Sequence, residues 1–194
     1  MCSGFVRVLL LFFVSMVALQ CARGPVFVDV RDAARLGPGS SLYEIVVFSD
    51  FQCPFCLRTA GALKKLQEAH PKEVTLYFKH FPLPYHPQSE RAARAAEAAK
   101  SQGKFWEMHD LLFSHAASLR DDIYAELAAE LGLEVERFVA DMNSSIVTEH
   151  LAKDRADGLS AGLDGTPFIL LNGIPYNAPY TDLVYEVESD LGAE

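Results

Sequence analysis

The period of the apolar residues changes several times along the chain, and each change marks an element. Ile45-Val46-Val47, inside Tyr43 to Ser49, is an unbroken apolar run of strand length. Beyond Pro54, apolar side chains recur at Leu57, Ala60, Leu63 and Leu66 until Pro71. That spacing predicts a helix with proline in its first turn, where the missing N–H costs nothing. Val74-Thr75-Leu76-Tyr77-Phe78-Lys79 is mostly β-branched or aromatic and predicts the next strand. A strand, a helix and a strand in that order predict a parallel βαβ unit with a right-handed crossover.

Phe81-Pro82-Leu83-Pro84-Tyr85-His86-Pro87 breaks all regular structure before a helical section begins. Gln88 to Gln102 is rich enough in alanine for close helix approach and is closed by Gly103. Phe105, Met108 and Leu112 form the next stripe, then Ile123, Leu127 and Leu131, then Val135, Phe138, Val139 and Met142. These helices are expected to cap the active edge of the sheet. Ser145 to Leu159 is a further helix. Thr166 to Leu171 reads as a strand, and Asn172-Gly173 as a two-residue hairpin turn into Ile174-Pro175-Tyr176, so this half of the sheet is antiparallel. A terminal helix starts at Thr181 and Asp182 with Leu183, Val184, Val187 and Leu191 facing inward. Ahead of all this, Val26-Phe27-Val28 reads as an edge strand and Leu36 to Ser41 as a loop.

With 194 residues, half of them apolar, the chain can bury a full core in one domain. Seventeen basic against twenty-six acidic residues, a net charge of −9, argue against nucleic acid as a partner and against a polybasic membrane contact. Arg7 followed by the uncharged stretch Val8 to Leu19 has the form of an export signal, too short to cross a bilayer comfortably. Cys21 stands just past that stretch, as in bacterial lipoproteins, and is a candidate lipidation site and membrane tether; ordinary cleavage or an uncleaved anchor are the alternatives. The expected organisation is an export signal over 1–21, an N-terminal strand and linker over 22–42, and the main domain over 43–194 with a helical insertion at about 87–143. The expected location is the periplasm or cell envelope.

The chemistry centres on Cys53-Pro54-Phe55-Cys56. Cys53 falls at the start of the predicted helix, where unpaired N–H groups and the helix dipole favour a thiolate. Such cysteines have pKa values lowered from about 8.5 to roughly 3.5–7.5. Cys56 lies one turn on, on the same face, close enough to form a disulfide with Cys53. Zinc would need four ligands, yet the remaining cysteines are Cys2 and Cys21 in the N-terminal segment, and there is no His-X3–5-His pair. No metal site is expected. In an exported chain, a lone Cys-X-X-Cys serves redox chemistry more plausibly than stapling. The six histidines are scattered over different elements, with His80 and His86 bracketing the proline-rich loop.

Three motifs in this order, Phe48-Ser49-Asp50-Phe51-Gln52-Cys53-Pro54-Phe55-Cys56, Gly103-Lys104-Phe105-Trp106-Glu107-Met108-His109-Asp110 and Gly165-Thr166-Pro167, resemble the DsbA-like branch of the thioredoxin superfamily. The resemblance runs from about Gly37 to the C-terminus. It implies an α/β thioredoxin-like fold, a central mixed sheet flanked by helices with an inserted helical subdomain. It also implies Cys53 as nucleophile, Cys56 as resolving thiol, and a cis Thr166–Pro167 bond set against the pair for substrate binding. On residues alone, a trans Pro167 that merely opens the strand is the more natural reading. Two departures from the family pattern stand out. Val47 occupies the position, six before the first cysteine, where relatives place a buried acid, leaving water, Asp50 or another group to take the Cys56 proton. Asp50 is a candidate relay, with turn formation or helix capping as its simpler role. Pro54-Phe55 replaces Pro-His, and Phe55 brings neither charge nor polar hydrogen bond, which predicts a weaker oxidant than the strongest family members.

The expected function is an exported thiol–disulfide oxidoreductase acting on cysteine-containing exported proteins, reset by a separate redox partner, monomeric, and needing no cofactor beyond the Cys53–Cys56 disulfide. The competing expectations are a Cu(I)-binding lipoprotein of the same fold, since soft thiolates suit Cu(I), and a non-catalytic partner-binding domain.

Overall fold

A computed structural model describes residues 25–192. The Cys2, Cys21 and export-signal expectations lie outside the described residues.

Five strands form one mixed sheet: β1 (Ala34–Leu36), β2 (Tyr43–Ser49), β3 (Val74–His80), β4 (Phe168–Leu171) and β5 (Ile174–Tyr176), in the order β1-β3-β2-β4-β5. β2 and β3 are parallel, joined by helix α1 (Pro54–Ala69), with Ile45 opposite Leu76 and Val47 opposite Phe78. β4 runs antiparallel to β2 and β5 antiparallel to β4. The predicted hairpin turn is present: Asn172 and Gly173 both have positive φ, 50° and 78°, as a primed turn demands. Asn172 is further held by Glu44, whose N–H donates to Asn172 Oδ1 at 2.8 Å.

β2 and β3 are central and covered on both faces, so they read as continuous apolar runs rather than alternating ones. Ile45, Val47, Leu76 and Phe78 face one side, towards α1 and the C-terminal helix α7 (Tyr180–Leu191). Val46, Phe48 and Tyr77 face the other, with Phe81, Leu83, Leu163 and the chain before β1. Between β3 and β4 run five helices: α2 (Ser89–Lys100), α3 (Phe105–Ser114), α4 (Ile123–Glu130), α5 (Val135–Met142) and α6 (Ser145–Ser160). The alanines of α2 are buried almost completely, which lets α3, α5 and α6 approach it closely. Within the α5 stripe, Phe138 and Met142 are buried but Val139 is exposed. Leu57 of α1 is likewise exposed, because α1 buries Cys56, Thr59, Leu63 and Leu66 instead.

One strand is displaced from its expected place. Val26-Phe27-Val28 is not a strand; Val26 donates one hydrogen bond to Gly173 O at 2.7 Å, Val28 is buried and Phe27 is fully exposed. The edge strand forms at Ala34–Leu36, pairing antiparallel with β3. A segment meeting the sheet through single contacts over its face gains no ladder, so β-type composition alone did not make it a strand.

The end of β3 carries charge into the interior. Lys79 is almost fully buried and pairs with Asp154 at 2.9 Å and Asp157 at 2.6 Å, both on α6. Asp154 also accepts the His80 N–H at 2.8 Å. Removing one carboxylate leaves a buried ammonium half-compensated and an amide unpaired. Asp154→Ala is therefore expected to cost about 2–4 kcal/mol, read as a lower urea midpoint, whereas exposed Glu130→Ala should leave that midpoint within error.

Candidate active site

β2 ends at Ser49, and a four-residue turn delivers the chain to α1. Asp50 and Cys53 close that turn through a Cys53 N–H to Asp50 O bond of 3.1 Å. Cys53 is the N-cap residue, with extended backbone (φ −77°, ψ 119°) and Pro54 following. No hydroxyl or carboxylate caps the helix. Pro54 has no N–H, so the first amides are those of Phe55 and Cys56, and both favour a charged Cys53 sulfur.

The two sulfurs are pushed in opposite directions. Cys53 is lowered from an ordinary value of 9.0 to about 5, chiefly by the hydrogen bond it receives from the Cys56 thiol, then by the Cys56 amide, Thr166 and the Phe55 amide, against the penalty of burial. Cys56 is 1% exposed, and burial pushes its thiol far upward, with the neighbouring Cys53 sulfur pushing it further. Ser49, Thr166 and the Asp50 amide oppose that rise.

The Thr166–Pro167 bond is cis, and Thr166 O lies 3.5 Å from Cys53 Sγ. Thr166 Oγ1 is buried without a hydrogen-bond partner, and the Thr166 side chain is among the influences that lower both sulfurs. The structure thus brings Cys53, Cys56, Thr166 and Pro167 together. Phe55 is exposed beside them, with the Arg58 guanidinium 4.7 Å above its ring centroid. Val47 is buried in the same cluster as both cysteines and offers no polar atom.

Asp50 is engaged elsewhere. Its carboxylate accepts from Gln52 N at 2.7 Å, Leu83 N at 2.8 Å and His86 Nδ1 at 2.9 Å, so it stitches the turn to the proline-rich loop. Gln52 adds a second stitch, its Oε1 accepting the Gln88 N–H at 2.6 Å. Asp50 approaches Cys56 through its amide, not through its carboxylate. Phe51 anchors the turn from below, its ring 4.8 Å from Phe113 and 5.4 Å from Phe78. The bracketing histidines part company: His86 joins Asp50, while His80 is buried on Glu97 at 3.2 Å. Among the described residues, no group of three or more His, Cys, Asp or Glu side chains is arranged to hold a metal ion.

Ser49 was not singled out from sequence. The one available signal was a small hydroxyl residue at the buried end of an otherwise apolar strand.

The family model of the DSBA-like thioredoxin domain matches residues 44–187. The chain belongs to that family. Among solved structures it is similar to a thioredoxin-like oxidoreductase from Silicibacter pomeroyi, with 29% identity and a TM-score of 0.69 over 84% of this chain and 95% of that one. The fold is also that of the thiol-disulfide exchange protein α-DsbA2 from Wolbachia pipientis, with 19% identity and a TM-score of 0.72 over 82% and 87%. Curated relatives include the Na(+)/H(+) antiporter NhaA of Herminiimonas arsenicoxydans, 36% identical over 137 residues, which are 71% of this chain and 22% of that protein. The chain spans about a quarter of the length of the curated relatives it matches.

The DsbA-like geometry sets a pH test. A folded-state pKa of about 5 against an ordinary 9.0 means that the Cys53 thiolate stabilises the dithiol form fully above pH 9 and not at all once pH falls through 5. The raised Cys56 acts in the opposite sense only above its ordinary value. Stability of the dithiol form should therefore rise between pH 5 and 9 by up to about 1.4 kcal/mol per unit, measured by urea unfolding. Iodoacetamide alkylation of Cys53 should titrate near pH 5, and Cys56→Ala should move that midpoint upward by more than one unit.

Proposed function

We propose that this chain exchanges disulfides with cysteine-containing proteins outside the cytoplasm, with Cys53 as the nucleophile and Cys56 as the resolving thiol. The observation that carries the reading is the opposed acidity of two sulfurs one helical turn apart, one poised to ionise and the other held as a donor to it. In the reducing direction, the Cys53 thiolate attacks a client disulfide and expels one client sulfur as thiolate, forming a mixed disulfide. Cys56 then loses its proton and attacks Cys53 Sγ, closing the Cys53–Cys56 disulfide and releasing the second client thiolate. In the oxidising direction the steps reverse, and electrons pass from the client dithiol to the protein pair. No further cofactor enters, because both couples are thiol–disulfide couples.

Thr166 and Pro167 form the substrate-binding edge. An extended client segment would lie along Thr166 as an added strand. A neighbouring client side chain would enter the adjacent 380 Å³ groove lined by Phe55, Arg58, Pro167, Ile169 and Tyr176. Pro54 and Phe55 tune the pair through the backbone, by leaving the Phe55 and Cys56 amides to the sulfur. A Cys53 value of about 5 falls between the roughly 7 and 3.5 that bracket mild and strong Cys-X-X-Cys enzymes, which supports an oxidant of intermediate strength.

Export by residues 1–21, a tether at Cys21, a monomeric state and a separate partner that resets the pair complete the reading. The antiporters are matched over only about a quarter of their length, so ion transport is not carried over from them. Among the described residues, no helix is long and apolar enough to cross a membrane.

Cys56→Ser should accumulate covalent mixed disulfides with clients, visible on non-reducing gels and dissolved by dithiothreitol. Cys53→Ser should show none and should reduce insulin no faster than buffer. Mixed disulfides surviving in Cys53→Ser would defeat the assignment of the nucleophile. Equilibration with glutathione should place the potential between about −270 and −120 mV, the values for a thioredoxin and for the strongest oxidase.

A further inference from the structure

A second groove, of 490 Å³ and sharing no lining residue with the Pro167 groove, opens between the proline-rich loop and α6. Its volume is within the range of small-molecule sites. Leu83 and Leu151 are nearly buried and form an apolar floor, and Pro82, Pro84 and Pro87 make one wall. That wall is preformed. Proline fixes φ at three positions, and the loop is bonded at Leu83 and His86 to Asp50 and, just beyond it, at Gln88 to Gln52.

The charges of the groove do not balance. Glu90 is its one acid and is held by Arg94 at 2.9 Å, while Arg94 also donates to Met142 O and Thr148 Oγ1. Arg155 is different. Its guanidinium lies 4.9 Å over the Phe81 ring, and among the described residues no carboxylate pairs with it. An exposed cation without an anionic partner, above an apolar floor, stands out on a chain with a net charge of −9.

We propose that this groove binds a free amphipathic monocarboxylate, with the carboxylate on Arg155 and an aliphatic body on Leu83, Leu151 and Ala152. A planar guanidinium fork matches a carboxylate in two parallel hydrogen bonds. A single unpaired cation beside Glu90 suits one negative charge better than two, which disfavours a phosphate dianion. The floor rewards a hydrocarbon body and gives a purely polar anion nothing to bury. The loop that forms the wall also carries His86 and Leu83 to Asp50, whose carbonyl accepts from the Cys53 amide. Ligand occupancy therefore bears on the turn that holds the sulfurs, through hydrogen bonds and without contact with the sulfurs.

Decanoate serves as the probe, titrated into the purified, isotope-labelled full chain in its dithiol form. The expected result is saturable one-to-one binding, with amide shifts at Leu83, His86 and Leu151 that extend to Asp50 and Cys53. Decanol should bind at least tenfold more weakly, Arg155→Gln should lose at least tenfold in decanoate affinity, and Ala152→Phe should abolish binding by filling the groove. Insulin reduction by both variants in the absence of ligand should match the parent chain, which shows that they are folded. Equal binding of decanol and decanoate, or parent-like affinity in Arg155→Gln, would overturn the proposal. So would shifts centred on Phe55 and Tyr176, which place the probe in the other groove. Tighter competition by the peptide acetyl-Glu-Leu-Leu-amide at the same residues would overturn the free-acid assignment in favour of a protein segment. Shifts that stop short of Asp50 would overturn the link to the redox turn.

Discussion

A hydrogen bond between two sulfurs governs this molecule. The thiol of Cys56 donates to Cys53, and it does so because burial keeps Cys56 protonated while the first amides of α1 favour charge on Cys53. Each half of that arrangement needs a different part of the fold. The helix start needs β2, Pro54 and the Asp50 turn; the burial needs the sheet face formed by Val47, Phe78 and Ile169 together with α1. Stabilising the thiolate of the dithiol form makes the disulfide easier to reduce, so the packing around Cys56 sets the oxidising strength as much as the two residues between the cysteines do. Phe55 supplies its backbone amide to that balance, and its side chain is left to face solvent and Arg58.

What was legible in the sequence is what depends on local pattern. The βαβ unit, the helix beginning at Pro54, the Asn172-Gly173 turn and the alanine-rich α2 follow from period, proline placement and residue size, and all occur where those cues put them. The edge strand did not, because Val26-Phe27-Val28 and Ala34-Arg35-Leu36 both have strand-compatible composition and only pairing with β3 decides between them. The site shows the same division. Cys53 and Cys56 announce themselves by spacing, and the Thr166–Pro167 bond by resemblance. Ser49 beside Cys56, and Leu83 and His86 on Asp50, are contacts between residues distant in sequence or unremarkable in type. No periodicity encodes them.

Asp50 illustrates how a chemically suggestive residue can serve architecture. A buried carboxylate on the turn that leads to Cys53 invites a proton-transfer role, yet its two oxygens already accept three hydrogen bonds. Its work is to hold two separate pieces of chain, the turn at 50–53 and the loop at 81–88, in fixed register. Gln52 and the Phe51 ring act to the same end, so the position of Cys53 is determined from three sides.

Val47 then has a consequence for how the second sulfur acquires its charge. Where a buried acid would stand, this chain has a methyl-bearing side chain in contact with the core, and the polar groups that act on Cys56 are Ser49, Thr166 and the Asp50 amide. Hydroxyls and an amide can lower the cost of a thiolate by donating to it, but none of them takes a proton at neutral pH. The base for Cys56 must therefore come from outside this set. In the mixed disulfide that we propose, the thiolate expelled from a client is such a base, and the partner that Cys56 had in Cys53 is by then covalently engaged. Loss of the Cys53 charge removes one of the causes that held the Cys56 pKa high, so formation of the mixed disulfide itself prepares the resolving step. In the exchange proposed above, the timing of the second proton transfer follows from the chemistry of the first bond.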